Sequence, residues 1–120
     1  MALTSAMEDY LEAVFILQKQ KGRVRCVDVA ERLRVKKPSV SRAVKELSKK
    51  KYLTKEADGM LSLTELGLKL AEQIYEKHRF FTEQLIAAGV DPKTAEQDAC
   101  SMEHAISAES FQKLKDALED

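Results

Sequence analysis

Three amphipathic runs are followed by two short apolar runs that flank a turn, and this order leaves few folds open to the chain. Met7, Tyr10, Leu11, Val14, Phe15 and Leu17 recur at helical intervals behind Ser5-Ala6-Met7-Glu8, which has capping-box spacing, and Gly22 stops them. Arg23 to Cys26 forms a short extended connector. Val27, Val29, Ala30 and Leu33 then mark a second helix, too short to stand alone, that ends near Arg34. Pro38 takes a first-turn position in a third helix, where Val40, Ala43, Val44 and Leu47 repeat at three and four residues. Tyr52 to Lys55 and Met60 to Leu63 read as strands around Glu56-Ala57-Asp58-Gly59, whose Asp-Gly pair signals a hairpin. Thr64 caps a long helix running through Leu66, Leu70, Ile74, Phe81, Leu85 and Ile86 and closed by Gly89. Asp91-Pro92 opens another, and Ser107 caps a last one holding Phe111, Leu114 and Leu118.

Charge is distributed unevenly along this pattern. The 120 residues carry 20 Lys+Arg and 20 Asp+Glu, yet residues 19–55 hold fourteen basic side chains and three acidic ones, an excess of +11 that the rest of the chain balances. Such a segment attracts polyanions by counterion release, whatever the average charge. Two short helices around a tight turn, followed by a hairpin and set in that basic segment, make the pattern of a winged helix-turn-helix. The expectation is a mainly α protein whose third helix enters the major groove of double-stranded DNA. Lys36, Lys37, Pro38, Ser39, Ser41 and Arg42 are the candidates at its N-terminal end: hydroxyls and guanidinium hydrogen-bond bases or phosphates, and the proline meets a thymine methyl. Lys45, like Lys49 and Lys50, supplies charge rather than sequence discrimination. The bland reading of the same lysines is a solvated face.

No run approaches the roughly 18 consecutive apolar residues of a membrane span. Acidic Glu8-Asp9 stands where a secretion signal carries basic residues. The two cysteines, Cys26 and Cys100, come with no disulfide framework. These features lead to an expectation of a cytoplasmic protein with free thiols and no membrane partner.

Cys100, Glu103 and His104 stand at i, i+3 and i+4, so one helix face presents a thiol, a carboxylate and an imidazole together. Asp9 and Glu12, also at i and i+3, lie on a face of the first helix that adjoins its apolar stripe, and His78 sits midway along the long helix. Each has a structural reading too: core filler for the cysteines, a satisfied histidine, acids favouring a helix N-terminus.

The run Met7-Glu8-Asp9-Tyr10-Leu11-Glu12, the stretch from Val29-Ala30-Glu31-Arg32-Leu33 to Pro38-Ser39-Val40-Ser41, the Lys77-His78-Arg79 step and Asp98-Ala99-Cys100-Ser101-Met102-Glu103-His104 together resemble the diphtheria-toxin-repressor family (DtxR/MntR) over nearly the whole chain. The resemblance implies a homodimeric, metal-activated repressor controlling iron or manganese homeostasis through a palindromic operator. It places a winged helix-turn-helix over residues 1–64 and a helical dimerisation and metal-binding region over residues 65–120. By position, Asp9, Glu12, His78, Cys100, Glu103 and His104 match the family's metal ligands. Cys100 resembles the iron-responsive branch, and Asp9 with Glu12 the manganese-responsive branch. Thr82 and Glu96 stand where the iron branch has ancillary ligands, which argues against that ancillary site. The length leaves no room for the SH3-like domain of longer members.

A thiolate shifts preference from Mn(II) toward Fe(II), Co(II), Ni(II) or Zn(II), so Fe(II) is expected over Mn(II), with the other three as activators in vitro. An ion gripped by the first helix and the C-terminal helices is expected to draw them together and so fix the spacing of two recognition helices in a dimer. The rival is a metal-free winged-helix regulator sensing oxidation through Cys100 or Cys26. The sequence has no HExxH motif, Gly-rich phosphate loop or nucleophile–base pairing, so neither an enzyme nor a small organic substrate is expected.

Overall fold

A computed structural model describes residues 3–119 and contains six helices and one hairpin among them: α1 (Ser5–Lys21), α2 (Cys26–Leu33), α3 (Lys37–Lys49), β1 (Leu53–Lys55), β2 (Leu61–Leu63), α4 (Glu65–Ala87), α5 (Pro92–Ala105) and α6 (Ala108–Glu119). The chain divides into two compact units, residues 1–72 and 73–120, with the boundary inside α4. No helix among the described residues is long and apolar enough to cross a membrane.

In the first unit α1 begins one residue earlier than the capping-box spacing suggests. Thr4, extended at φ −71° and ψ 161°, is its N-cap, and its hydroxyl accepts from the Met7 N–H at 3.2 Å. Leu11, Val14, Val24, Val29, Val40, Leu47 and Leu53, all less than 2% exposed, form the core between α1, α2, α3 and the hairpin. Val27, read as part of α2's apolar pattern, is exposed instead. Neither end of the helix-turn-helix uses glycine. Arg34 (φ 56°) and Lys51 (φ 67°) take left-handed backbone conformations after α2 and α3. They let Val35 N–H reach Ala30 O at 3.0 Å and Tyr52 N–H reach Leu47 O at 2.9 Å, a Schellman-type closure each time.

The hairpin pairs Leu53 with Leu63 and Lys55 with Leu61 around a turn in which Gly59 has φ 88°. The connector before α2 adds an edge to it, since Val24 bridges Leu61 with an N–H to O distance of 2.8 Å. Arg25, beside that bridge, donates from Nη1 to the turn carbonyl of Asp58 at 2.6 Å. The start of α4 is fastened to the base of the same hairpin. Thr64 donates its hydroxyl to Lys51 O (2.6 Å) and accepts from Gly67 N–H (3.0 Å), and its own N–H donates to Tyr52 O (3.1 Å).

Asp28, in the first turn of α2, accepts from the Arg25 N–H at 2.9 Å and from Lys21 Nζ at 2.7 Å. The lysine hydrogen bond, then that backbone bond, hold its carboxyl below the ordinary value of 3.8. A depressed folded-state pKa contributes stability that is present above the unfolded value and lost as pH falls through the folded one. Asp28→Asn keeps an acceptor for the Arg25 N–H but loses the charge, so it is expected to cost about 1 kcal/mol or less at neutral pH, from the weakened helix-terminal bond and the solvent-exposed ion pair. Urea unfolding of parent and variant at neutral pH and at about pH 3 checks this: the gap closes in acid.

The second unit is built on an aromatic cluster. Phe80 meets both Phe81 and Phe111 edge-on at 5.4 Å, with Ala99 fully buried in the same cluster and Ile106 packed against it. Asp91 caps α5 by accepting from Lys93 and Thr94 N–H groups, Pro92 follows, and Ser107 Oγ accepts from Ser110 N–H at the start of α6. Lys77 Nζ donates to Ile106 O at 3.3 Å, and Lys115 pairs with Glu76. Leu114 (39% exposed), Leu118 (52%), Ile86 and Met102 remain open to solvent.

Candidate metal centre and nucleic-acid interface

The buried residues of α5 are Ala95, Ala99 and Glu103, spaced by four, so the stripe that turns two alanines inward also carries a carboxylate inside. Glu103 is 3% exposed. Its Oε2 lies 3.4 Å from His78 Nδ1 and its Oε1 3.6 Å from His104 Nε2, and neither oxygen accepts a hydrogen bond among the described residues. The two imidazoles are themselves mostly covered, at 17% and 11% side-chain exposure. Ligand atoms of Cys100, Glu103 and His104 come within 4.8 Å of one another, and Cys100 is half-buried and outside any disulfide.

A buried carboxylate without a donor is costly, and a cation is one of the few partners that offsets the cost. Thiolate, carboxylate and imidazole on two helices form a donor set suited to a borderline divalent transition metal, so these residues fit such an ion. On α1, Asp9 is half-buried and Glu12 is 8% exposed, one turn apart beside the buried Leu11 and Val14. Glu96 was not among the sequence candidates, yet its Oε1 is 4.0 Å from His78 Nε2. No local pattern announces that approach, which joins α5 to α4.

In the first unit, Val40, Val44 and Leu47 anchor α3 in the core. Lys37, Ser41 and Lys45 then form one exposed row, with Pro38 and Arg42 beside it. Lys36, the N-cap, is exposed too, while Ser39 is half-buried. Lys37 and Ser41 share a groove of about 290 Å3 with Arg25, Cys26 and Lys55. Ser41 and Lys45 line a second, adjoining Lys49 and Lys55. Arg25 and Lys55 were absent from the sequence candidates because only hairpin pairing carries them to α3; their contribution to the basic segment was the sole signal.

Known proteins resemble this chain in two successive parts. Residues 2–61 match the iron-dependent repressor N-terminal DNA-binding domain, and residues 64–120 match the iron-dependent repressor metal-binding and dimerisation domain. An HTH-type transcriptional regulator of Methanocaldococcus jannaschii is 33% identical over 98% of this chain and 95% of its own length. The HTH-type transcriptional regulator MntR of Bacillus velezensis is 34% identical over 97% of this chain and 82% of its own. The solved structure of the manganese regulator SloR superposes with a TM-score of 0.83 at 27% identity, covering 99% of this chain, which spans about half (55%) of that one. The two matched domains account for nearly every residue in order, and the chain belongs to the iron-dependent repressor family, as a metal-dependent, DNA-binding transcriptional regulator of the DtxR/MntR type rather than an enzyme.

Proposed function

We propose that this regulator is a cytoplasmic homodimer that represses iron or manganese homeostasis genes from a palindromic operator, with Fe(II) preferred over Mn(II) as its activator. The observation that carries the reading is the buried Glu103 carboxylate, flanked by His78 and His104 and one helical turn from Cys100. Those four residues, with Asp9 and Glu12 of α1 as further ligands on the strength of the sequence resemblance, are the proposed metal-binding set. A divalent cation bound there supplies positive charge that neutralises thiolate and carboxylates. Without it, the buried Glu103 carboxylate has no compensating charge, which favours separation of the residues crowded around it. Coupling of that event to residues 1–64 makes the DNA-binding form more populated, and linkage requires DNA to strengthen metal binding in return.

Cys100 supports iron over manganese, because thiolate ligation favours the softer ion, while the manganese regulator among the structural relatives keeps manganese in play. Anaerobic calorimetry with Fe(II) and Mn(II), on the parent and on Cys100→Glu, tests the preference. Tighter Fe(II) binding in the parent and a shift toward Mn(II) in the variant are expected; an unchanged ratio contradicts it. Met102 and Leu114, exposed beside Phe81 and Ile106 along a groove of about 540 Å3, support a dimer face in the second unit.

On the DNA side, Lys36, Lys37, Pro38, Ser39, Ser41 and Arg42 are the proposed contacts at the start of α3, with Lys45 on phosphate. Arg42→Ala is expected to weaken specific DNA binding by about 1–3 kcal/mol. Metal affinity measured without DNA is expected to stay within about twofold, since the substitution leaves the ligand set intact. Parallel loss of both affinities contradicts this division of labour.

A further inference from the structure

His78 stands between two carboxylates of the same helix. Glu96 and Glu103 are seven residues, two turns, apart on α5 and so share a face. Glu103 Oε2 faces the Nδ1 edge of the imidazole at 3.4 Å, and Glu96 Oε1 faces the Nε2 edge at 4.0 Å. The inner carboxylate is wholly covered, whereas the Glu96 side chain is 69% exposed. An imidazole that ligates a metal through one nitrogen usually donates its other N–H to a carboxylate, carbonyl or water, which fixes tautomer and ring orientation. Thr82, one turn along α4, is committed elsewhere: its hydroxyl donates to the His78 carbonyl at 2.7 Å.

We infer that Glu96 is a positioning residue for the metal centre, accepting the Nε2–H of His78 so that Nδ1 is presented to the ion beside Glu103. The inference rests on the metal reading above. It gives position 96 a role that does not require the ancillary ligand set of the iron branch: the carboxylate acts through His78 and need not touch the ion.

Its test compares Glu96→Ala, Glu96→Gln and the parent by calorimetric titration with Co(II) and Zn(II). Imidazole 15N–1H spectra of the Zn(II)-loaded proteins accompany the titrations. Alanine removes the acceptor and is expected to weaken metal binding about 10–100-fold. Glutamine keeps an acceptor oxygen, so affinity returns to within about threefold of the parent, and the His78 Nε2–H signal persists in parent and Gln variant but not in the Ala variant. A role confined to charge, near the N-terminus of α5 or near the ion, would instead be lost equally in Gln and Ala, and that result overturns the inference. So does an Ala variant that matches the parent in affinity and in ring tautomer. Failure of the parent to bind either ion overturns the metal reading and this inference together, whereas parental binding unaffected by Glu96→Ala overturns the inference alone.

Discussion

Replacing His104 by alanine is expected to abolish metal-stimulated DNA binding while leaving a folded dimer. His104 lies in the last turn of α5, its ring mostly covered and its Nε2 3.6 Å from the buried Glu103 Oε1. Removing it takes away a nitrogen donor and leaves Glu103 with one fewer counter-group in the interior. Outer-sphere changes alone cost metal sites about 10–100-fold in affinity, so loss of a residue proposed to ligate the ion directly should exceed that range. The aromatic cluster of Phe80, Phe81 and Phe111 does not include His104, so circular dichroism and sedimentation should match the parent. A variant whose DNA affinity still rises with Fe(II) or Mn(II) as the parent's does shows that the ligand assignment is wrong.

The second large effect is one of packing. A Cβ added at Gly67 would sit 1.9 Å from the Tyr52 carbonyl oxygen, a backbone atom that cannot rotate away. Helix propensity alone favours alanine over glycine by about 1 kcal/mol. The clash reverses that sign. To relieve it, the first turn of α4 must lift from the hairpin base, at the expense of the bonds that Thr64 makes to Lys51 O and Tyr52 O. Gly67→Ala is therefore expected to lower stability by about 3 kcal/mol or more, at the upper end of overpacking penalties. Urea denaturation reads this directly, and unchanged or raised stability would mean that the close approach of α4 to Tyr52 is wrong.

These two residues mark what a sequence does and does not disclose. Helices and hairpin were legible where the signal is local: Pro38 in the first turn of α3, Asp58-Gly59 in the hairpin, Asp91-Pro92 and Ser107 before α5 and α6. The left-handed closures at Arg34 and Lys51 were not, because basic side chains occupy positions where glycine is the usual sign. The Val24–Leu61 bridge and the tight seat of Gly67 depend on partners far along the chain, which periodicity cannot register. The same contrast runs through the candidate site. Cys100, Glu103 and His104 fall on one face by helix geometry alone, whereas no local spacing ties His78, midway along α4, to them, and its ligand role rests on the family resemblance. Glu96 and Arg25 emerged from contacts across elements. Among the apolar residues of the C-terminal helices, Phe80, Phe81 and Phe111 fill the core while Leu114 and Leu118 stay exposed, a distinction that needs the packing itself.

Metal-dependent DNA recognition by this regulator is read out by fluorescence anisotropy. A duplex enriched by the protein from a random pool is titrated anaerobically at fixed salt, with Fe(II), Mn(II), Co(II) or Zn(II) and with excess chelator. Tight binding is expected with the cations, led by Fe(II) over Mn(II), and affinity near that for unrelated DNA is expected in chelator. Equal affinity with and without metal would contradict this and would favour a regulator that answers to thiol oxidation at Cys100 or Cys26.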